Sequence, residues 1–526
     1  MKFILAIFVN LILSCFSVLY FGTPLLVFTL FPLLIAIVLH LRPSKAFAAA
    51  FLGQILVMLI AKFLPSNFVS SEFQNGIFEN GQFSILPISN IYLNVTLVGF
   101  IAGFFALIGT AIRQTQIIMA KILFVIYSGV YFFIITPALI GVALYVRFFR
   151  KKKKIDIGLG PEPMINNVYH KRALESYGYT AETFVDSVYF ITKEFDYRGD
   201  LLGINKSRVS KHFFLLGIWL FIRSIVRYKA LYIYFNGGPL KAHYFLRPIE
   251  PFLYKIAGTK IVVMPYGGDV HDLTHCPNLQ FKHAMAMDYP SYYKMNGNVR
   301  RQIVRWTNYS DFVLSGCDWV DYTYHWDMLT LAHFSIDLDK FTKLRETNPV
   351  YRRSFTKEKP LRILHAPNHK TIKGSYFIQK AVADLQNEGY PLELILLQGR
   401  SNQEILEEIA KADIIADQLV IGWYAMFALE SLVLAKPVIC YLREDLINLY
   451  LFGGQLSSKE EIPFLNTNAF GITDLLRNVV EGKVDLESYG SKGFSYVQKY
   501  HSIPAIGSLF QKINQKIGIE PSLTSI

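Results

Sequence analysis

The chain has only four cysteines in 526 residues, Cys15, Cys276, Cys317 and Cys440, far apart and with no CxxC pair. That excludes a zinc ribbon or a disulfide framework and fits a reducing compartment. Charge is also scarce: 18% of residues are Asp, Glu, Lys or Arg, against 52% hydrophobic, and the mean hydropathy is +0.30. These values are high for a soluble enzyme and suit a chain with a membrane part. Acidic residues are outnumbered 40 to 53, which leaves a formal charge of +13. The basic excess is not gathered into a low-complexity arm of the kind that binds nucleic acid. Anionic lipid is the partner this balance favours, and no nucleic acid is expected.

Long apolar runs are plentiful, and they crowd into residues 1–150. A membrane-spanning helix needs about 20 mostly apolar residues. Phe3–Tyr20, Pro24–Leu41, Ala46–Leu64, Leu93–Ile112 and Ile117–Phe149 are candidates. The first has no convincing small-residue cleavage site and runs at once into another apolar stretch, unlike a signal peptide. The last is long for one span and short for two, so Pro137 either kinks it or divides a re-entrant pair. Arg150-Lys151-Lys152-Lys153-Lys154 then places the C-terminal part of the chain in the cytoplasm by the positive-inside rule. Five spans would put the N-terminus outside, whereas Lys2, Arg42, Lys45, Arg113 and Lys121 favour it inside. The lysine run, the strongest cluster, decides for a cytoplasmic C-terminal part at the plasma (inner) membrane. Lys211–Lys229, with basic ends around Phe213, Trp219 and Phe221, fits an interfacial helix or an ordinary helix of a sheet layer.

From residue 155 the pattern alternates strand and helix. Ile155–Leu159 leads into Gly158, Gly160 and Asn167; Leu231–Phe235 into Gly237; Lys260–Pro265 into Gly267, Gly268 and Asp269; Asp311–Ser315 into another turn. Further on, Ile363–His365, Leu392–Leu397, Asp413–Ala416 and Pro437–Tyr441 read as strands. Ser375–Gln386, Asn402–Lys411 and Tyr424–Ala435 read as helices. Such alternation predicts parallel sheets covered on both faces, with ligands at the carboxyl ends of the strands. Two features fall at such ends. The loop 366–374 carries Lys370, Lys373 and Gly374 before a helix start, where free amides and positive charge suit phosphate. Glu430 stands in an apolar helix, where a carboxylate is costly unless paired or binding something. Asp269 stands at a strand's carboxyl end, where it either contacts a ligand or caps the next helix.

These residues resemble the GT-B glycosyltransferases of the retaining family 4 type. The likeness rests on Lys373-Gly374 after the first strand, and on Gly422-Trp423-Tyr424-Ala425-Met426-Phe427-Ala428-Leu429-Glu430 followed by Ala435-Lys436-Pro437-Val438-Ile439. The family has two glutamates separated by seven residues. Here Glu430 is the second, and Gly422 stands at the first. Asn368 replaces the family's arginine, with Lys370 as substitute. Phe334-Ser335-Ile336-Asp337 resembles the segment that closes the N-terminal half.

The apolar runs imply an α-helical membrane region, 1–150; the resemblance, which covers about residues 155–517, implies two Rossmann-like α/β domains after it: an acceptor domain 155–341, a linker 342–360, a donor domain 361–500 and a crossing helix and tail 501–526. It implies transfer of a sugar from a nucleotide-sugar donor to an acceptor in the cleft. Lys373, Glu430 and Asp269 are the implied catalytic residues, Lys373 and Lys370 offsetting the diphosphate charge and Glu430 holding the ribose. The implied donor site comprises Asn368, Lys370, Lys373, Gly374, Gln398, Gly399, Gln418, Gly422, Trp423, Tyr424, Ala425, Met426 and Glu430. The implied acceptor side comprises Gly158, Gly160, Asn167, Gly237, Gly267, Gly268 and Asp269. No DxD-like pair follows a strand, so no metal site and no cofactor are expected. The apolar N-terminal region makes a lipid-linked acceptor, as in surface polysaccharide or glycolipid synthesis, the expected partner. Gly422 and Asn368 motivate an alternative, a degenerate GT-B module that binds nucleotide sugar without catalysis. A transporter reading ranks lower, because the apolar runs hold almost no ionisable residues inside them.

Overall fold

In the structure, a computed structural model, residues 44–53, 78–79, 82–83, 91–150, 155–188, 194–204, 214–346 and 351–522 are described. The chain divides into two compact units, Met1–Phe132 and Phe133–Ile526.

In the first unit the helix Ile91–Val130 carries Gly99 and Gly103 one turn apart. The rings of Phe51 and Phe47 occupy the space beside them, where an added Cβ would come within 2.6 and 2.4 Å. Among the described residues one stretch, Tyr127–Phe149, is long and apolar enough to cross a membrane, and Gly99–Arg113 is a shorter apolar segment. The expected spans Phe3–Tyr20 and Pro24–Leu41, most of Ala46–Leu64, and Lys151–Lys154 lie outside the described residues. The described residues therefore do not support the expected multi-span region.

Pro137 does not divide a re-entrant pair. It is the second residue of the helix Thr136–Phe149, directly behind a π-helical turn Tyr131–Ile135, the kind of irregularity at which a continuous helix accommodates a proline. That helix belongs to the second unit rather than to a region ending at 150. It packs against the helices Leu215–Arg227 and Glu250–Ala257, and the Arg147 guanidinium lies against Gly258.

The second unit holds two parallel sheets. The first contains β1 (Ile155–Leu159), β2 (Ala181–Val185), β3 (Tyr197–Arg198), β4 (Tyr228–Tyr234), β5 (Lys260–Met264), β6 (Phe312–Gly316) and β7 (Met328–Thr330). Its order is β3-β2-β1-β4-β5-β6-β7, with every pair parallel. The second contains β8 (Leu361–His365), β9 (Leu392–Leu396), β10 (Ile414–Gly422), β11 (Val438–Leu442) and β12 (Phe464–Leu465), in the order β9-β8-β10-β11-β12, again all parallel. The central strands are apolar runs buried on both faces, as parallel sheets require. Strand order reverses between β1 and β4 in one sheet and between β8 and β10 in the other, the places where open α/β sheets bind ligands.

The C-terminal helix Ile503–Lys516 crosses back to the first sheet. Its Ile506, Phe510 and Ile513 complete the core formed by β1, β4, β5 and β6. Ser522 beyond it donates to the buried carboxylate of Asp156, at 2.6 Å. The linker begins later than expected, because Leu338–Glu346 is helical. Its second part is fastened to the C-terminal half, with Arg352 paired to Asp413 and the Tyr351 hydroxyl donating to Ala435 O at 2.6 Å. The interfacial face expected around Phe213, Trp219 and Phe221 does not form as one surface. In Leu215–Arg227, Phe221 is fully buried against Tyr254, whereas Trp219 is 47% exposed and donates to Tyr197; Phe213 lies outside the described residues.

Candidate functional site

A cavity of about 360 Å³ opens between the facing carboxyl ends of the two sheets. On the N-terminal side it is lined by Tyr266, Gly267, Gly268 and His271 after β5, by Asp318 and Trp319 after β6, and by Phe281, Met285, Tyr289, Tyr292 and Phe334. The opposite wall is His369 and Ile372 after β8, with Ile421, Trp423, Tyr424 and Ala425 at the end of β10. Open α/β sheets bind ligands outside strand carboxyl ends, and here two such edges meet.

The turn after β5 is built around Asp269. Its Oδ1 accepts from Tyr266 N at 2.9 Å and Gly267 N at 3.0 Å, and its Oδ2 accepts from Phe235 N at 2.9 Å. Burial pushes this carboxyl up to about 7 against those three amides. Asp269 therefore ties the ends of β4 and β5 together beneath the cavity and neither caps a helix nor presents a free oxygen to the cleft. Gly267 needs its φ of +124° to carry the chain over this staple. Tyr292 closes the outer side, its hydroxyl 3.0 Å from Gly268 O and 3.1 Å from His271 O.

Beside this turn stand two polar groups absent from the sequence expectations. His271 Nε2 is buried without a hydrogen-bond partner and lies 3.9 Å from Asp318 Oδ2. The His271 ring is packed edge-on between Phe281 and Tyr322. Burial lowers His271 to about 3. Burial, reinforced by the like charge of Asp321, raises Asp318 to about 7. Asp321 itself is paired with Arg443 from the other half.

On the C-terminal side the expected phosphate loop is short. Lys370–Lys373 makes one helical turn, Gly374 interrupts it, and Ser375–Asn387 follows. The amides of Thr371 and Ile372 donate to Asp288 of the N-terminal half, at 3.1 and 3.0 Å. Lys373 Nζ is 2.6 Å from Asp417 Oδ1, on a side chain with no solvent exposure. The Lys373 charge expected to meet a diphosphate is therefore already matched by Asp417, and two of the loop's amides are taken by Asp288. Lys370 and Asn368 are exposed outside the cavity lining, as are Gln398 and Gly399.

Gln418 is structural: its Oε1 accepts from Val420 N and Ile421 N, and its Nε2 donates to Trp423 O and Tyr441 O. It fills the irregularity where β10 slips register against β11. Gly422 has φ +99°, and a Cβ there would meet Arg443 Cδ at 2.6 Å, so no carboxylate-bearing residue fits that backbone. Trp423 and Tyr424 line the cavity while anchored elsewhere, Trp423 Nε1 to Leu331 O and the Tyr424 hydroxyl to Tyr496 and His501. Ala425 opens the helix Met426–Val433, whose N-terminus has no side-chain cap. Glu430, in the middle of that helix, is outside the cavity lining. It accepts from Asn402 at 3.1 Å, and burial raises its carboxyl.

The expected acceptor residues divide similarly. Gly267 and Gly268 line the cavity. Gly158 lies under the Tyr228 ring and Gly160 against Phe184 O. Gly237 faces Trp306. Asn167 is buried between Glu162 O and the Tyr234 hydroxyl. His271, Asp318 and Asp288 were missed because single polar residues in turns and helix ends carry no periodic signal.

No family model matches this sequence, and no curated protein matches it. Among solved structures, HepE of Anabaena in complex with UDP and glucose is 11% identical, covers 69% of this chain and 99% of its own, and has a TM-score of 0.43. HepE in complex with UDP alone gives 11%, 69%, 100% and 0.41. A UDP-glucosyltransferase from Polygonum tinctorium gives 8%, 70%, 99% and 0.32. At this overlap the likeness adds nothing to the GT-B-like arrangement, which rests on the two facing parallel sheets and the crossing helix.

Proposed function

We propose that this chain is a glycosyltransferase that moves a sugar from a nucleotide-sugar donor to an acceptor held in the cleft. The observation that carries this reading is the cavity at the opposed carboxyl ends of two parallel sheets, with the uncapped N-terminus of Met426–Val433 opening into it at Ala425. A helix N-terminus favours phosphate through its free amides and partial positive charge. The diphosphate would lie there, its charge offset by the amides as the bond from sugar carbon to phosphate oxygen breaks. The acceptor oxygen would approach from the wall formed by Gly267, His271 and Asp318.

The finer reading is membrane anchoring through the apolar N-terminal region, a cytoplasmic cleft, a lipid-linked acceptor, retention of anomeric configuration and no metal. Its support is the sequence: the apolar runs, the basic cluster at 150–154, the family resemblance and the lack of an acidic pair after a strand. The test is release of nucleoside diphosphate by the full chain in detergent across a panel of nucleotide sugars, with the product anomer read by NMR. Turnover with at least one donor is expected. Binding of nucleoside diphosphate without turnover of any donor would leave the second reading, a module that binds without catalysis. That reading is favoured by the carboxylates of Asp288 and Asp417 on the loop's amides and lysine.

A further inference from the structure

The N-terminal wall of the cavity has a definite polarity. Among the described residues lining it, Asp318 is the one charged side chain, and no lysine or arginine lines either wall. His271, on the same wall, carries a buried ring nitrogen with no partner. Leaving such a nitrogen unpaired is costly, and a polar atom reaching it from the cavity would relieve that cost. The 3.9 Å between His271 Nε2 and Asp318 Oδ2 is too long for a direct hydrogen bond. It is wide enough for one oxygen to sit roughly 2.8 Å from both. A hydroxyl suits both groups, because it donates its proton to the carboxylate while its lone pairs accept from the imidazole N–H. The surrounding surface is aromatic, with Trp319, Tyr289, Tyr292 and Phe334. Such a surface packs against the C–H face of a sugar ring. An anionic phosphoryl group would meet Asp318 on a wall that presents no lysine or arginine of its own, the Arg443 guanidinium behind it being already engaged by Asp321 and Asp445, and such an approach is costly away from bulk water.

We propose that His271 and Asp318 bind the reacting hydroxyl of a saccharide acceptor, so that this protein extends an existing glycan and does not glycosylate a lipid phosphate directly. This rests on the glycosyltransferase reading above and specifies its acceptor. A lipid-linked acceptor would then present its sugar end to the cavity. The two residues position the acceptor; the donor diphosphate belongs to the opposite wall.

The experiment uses the full chain in detergent with the nucleotide sugar that turns over. Its acceptors are a panel of octyl glycosides and, separately, decyl phosphate. Transfer to at least one glycoside and none to decyl phosphate is expected. Asp318→Asn and His271→Asn should each raise the acceptor KM at least tenfold. Their affinity for nucleoside diphosphate, measured by calorimetry, should stay within twofold, which also reports that each variant is folded. Transfer to decyl phosphate but to no glycoside would overturn the proposal. So would an unchanged acceptor KM in both variants. Failure of the wild-type chain to bind any nucleoside diphosphate would instead remove the reading beneath it.

Discussion

Lys373 shows how one side chain changes meaning once its neighbours are known. Its Nζ touches a carboxylate with no solvent exposure, and the lysine side chain itself is 15% exposed. Removing one partner of a buried pair leaves the other charge without compensation and costs about 3 kcal/mol or more. We predict that Lys373→Ala lowers stability by about that amount in chemical denaturation, and that Lys373→Met combined with Asp417→Asn recovers most of it. A Lys373→Ala protein as stable as wild type would mean the pair is broken in solution and the lysine is free for phosphate. Asp269 is a comparable case. Its two oxygens serve three amides, so its role is to shape the turn that carries Gly267 and His271.

At the scale of elements, the helix Leu215–Arg227 decides between a lipid face and a core face residue by residue. Leu216, Leu220, Phe221, Ser224 and Ile225 are buried, a stripe at helical spacing. Phe214, Leu215 and Trp219 lie outside that stripe and are partly exposed. Phe221→Ser should therefore destabilise the fold by about 3–5 kcal/mol, as truncating a buried aromatic does. Trp219→Ser should change thermal stability by less than about 1 kcal/mol, since it loses one exposed hydrogen bond to Tyr197. Equal losses in the two variants, read by circular dichroism melts, would contradict this division. The helix Ile503–Lys516 has the same logic on a larger span. It seals the core of a sheet whose first strand begins at Ile155, so the N-terminal half is complete only when the last segment has been made.

At the scale of the second unit, the two halves are held together around the cavity by specific bonds. Arg443 reaches Asp321, Asn278 Nδ2 donates to Val420 O at 2.8 Å, and the Tyr450 hydroxyl donates to Cys317 O at 2.6 Å. Asp288 completes the set by accepting from the loop after β8. A diphosphate at the N-terminus of Met426–Val433 shares the cavity wall with that loop, at Ile372 and Ala425, and is repelled by the Asp288 charge. Asp288→Ala is expected to tighten nucleoside diphosphate binding about fivefold, near 1 kcal/mol. Weaker binding in that calorimetric titration would place the diphosphate elsewhere. The crossing segment adds a pH signature. His170 and His501 are buried where the chain passes between the halves, and burial lowers each to about 4. The fold keeps them neutral, so their contribution is complete above the ordinary histidine value near 6.5 and is lost as pH falls through about 4. Histidine hydrogen–deuterium exchange read by mass spectrometry should show both still neutral at about pH 6. Midpoints near 6.5 would show the junction to be open to water.

The order of strands and helices in the second unit was readable because it is written in local periodicity. Asn402–Lys411 has the bounds expected, and Ile363, Leu392 and Val438 lie in strands as their apolar runs implied. Ala181–Val185 was not among the expected strands, because Glu182 and Thr183 break its apolar run, and neither were the short strands Tyr197–Arg198, Met328–Thr330 and Phe464–Leu465, in which two or three residues carry too little pattern to register. For the site, the sequence by itself determined that ligand-facing turns follow β5, β8 and β10, because strand ends are marked by glycine and polar residues. Only the tertiary structure decided which side chains in those turns are free. Gln418, Asp269 and Lys373 have the chemistry of binding residues but spend it on amides, carbonyls and a carboxylate of the protein itself. His271 and Asp318 follow different strands, and nothing in either local sequence announces that they meet. Hydrogen bonding and burial depend on neighbours in space, and those neighbours exist only once the two sheets face each other.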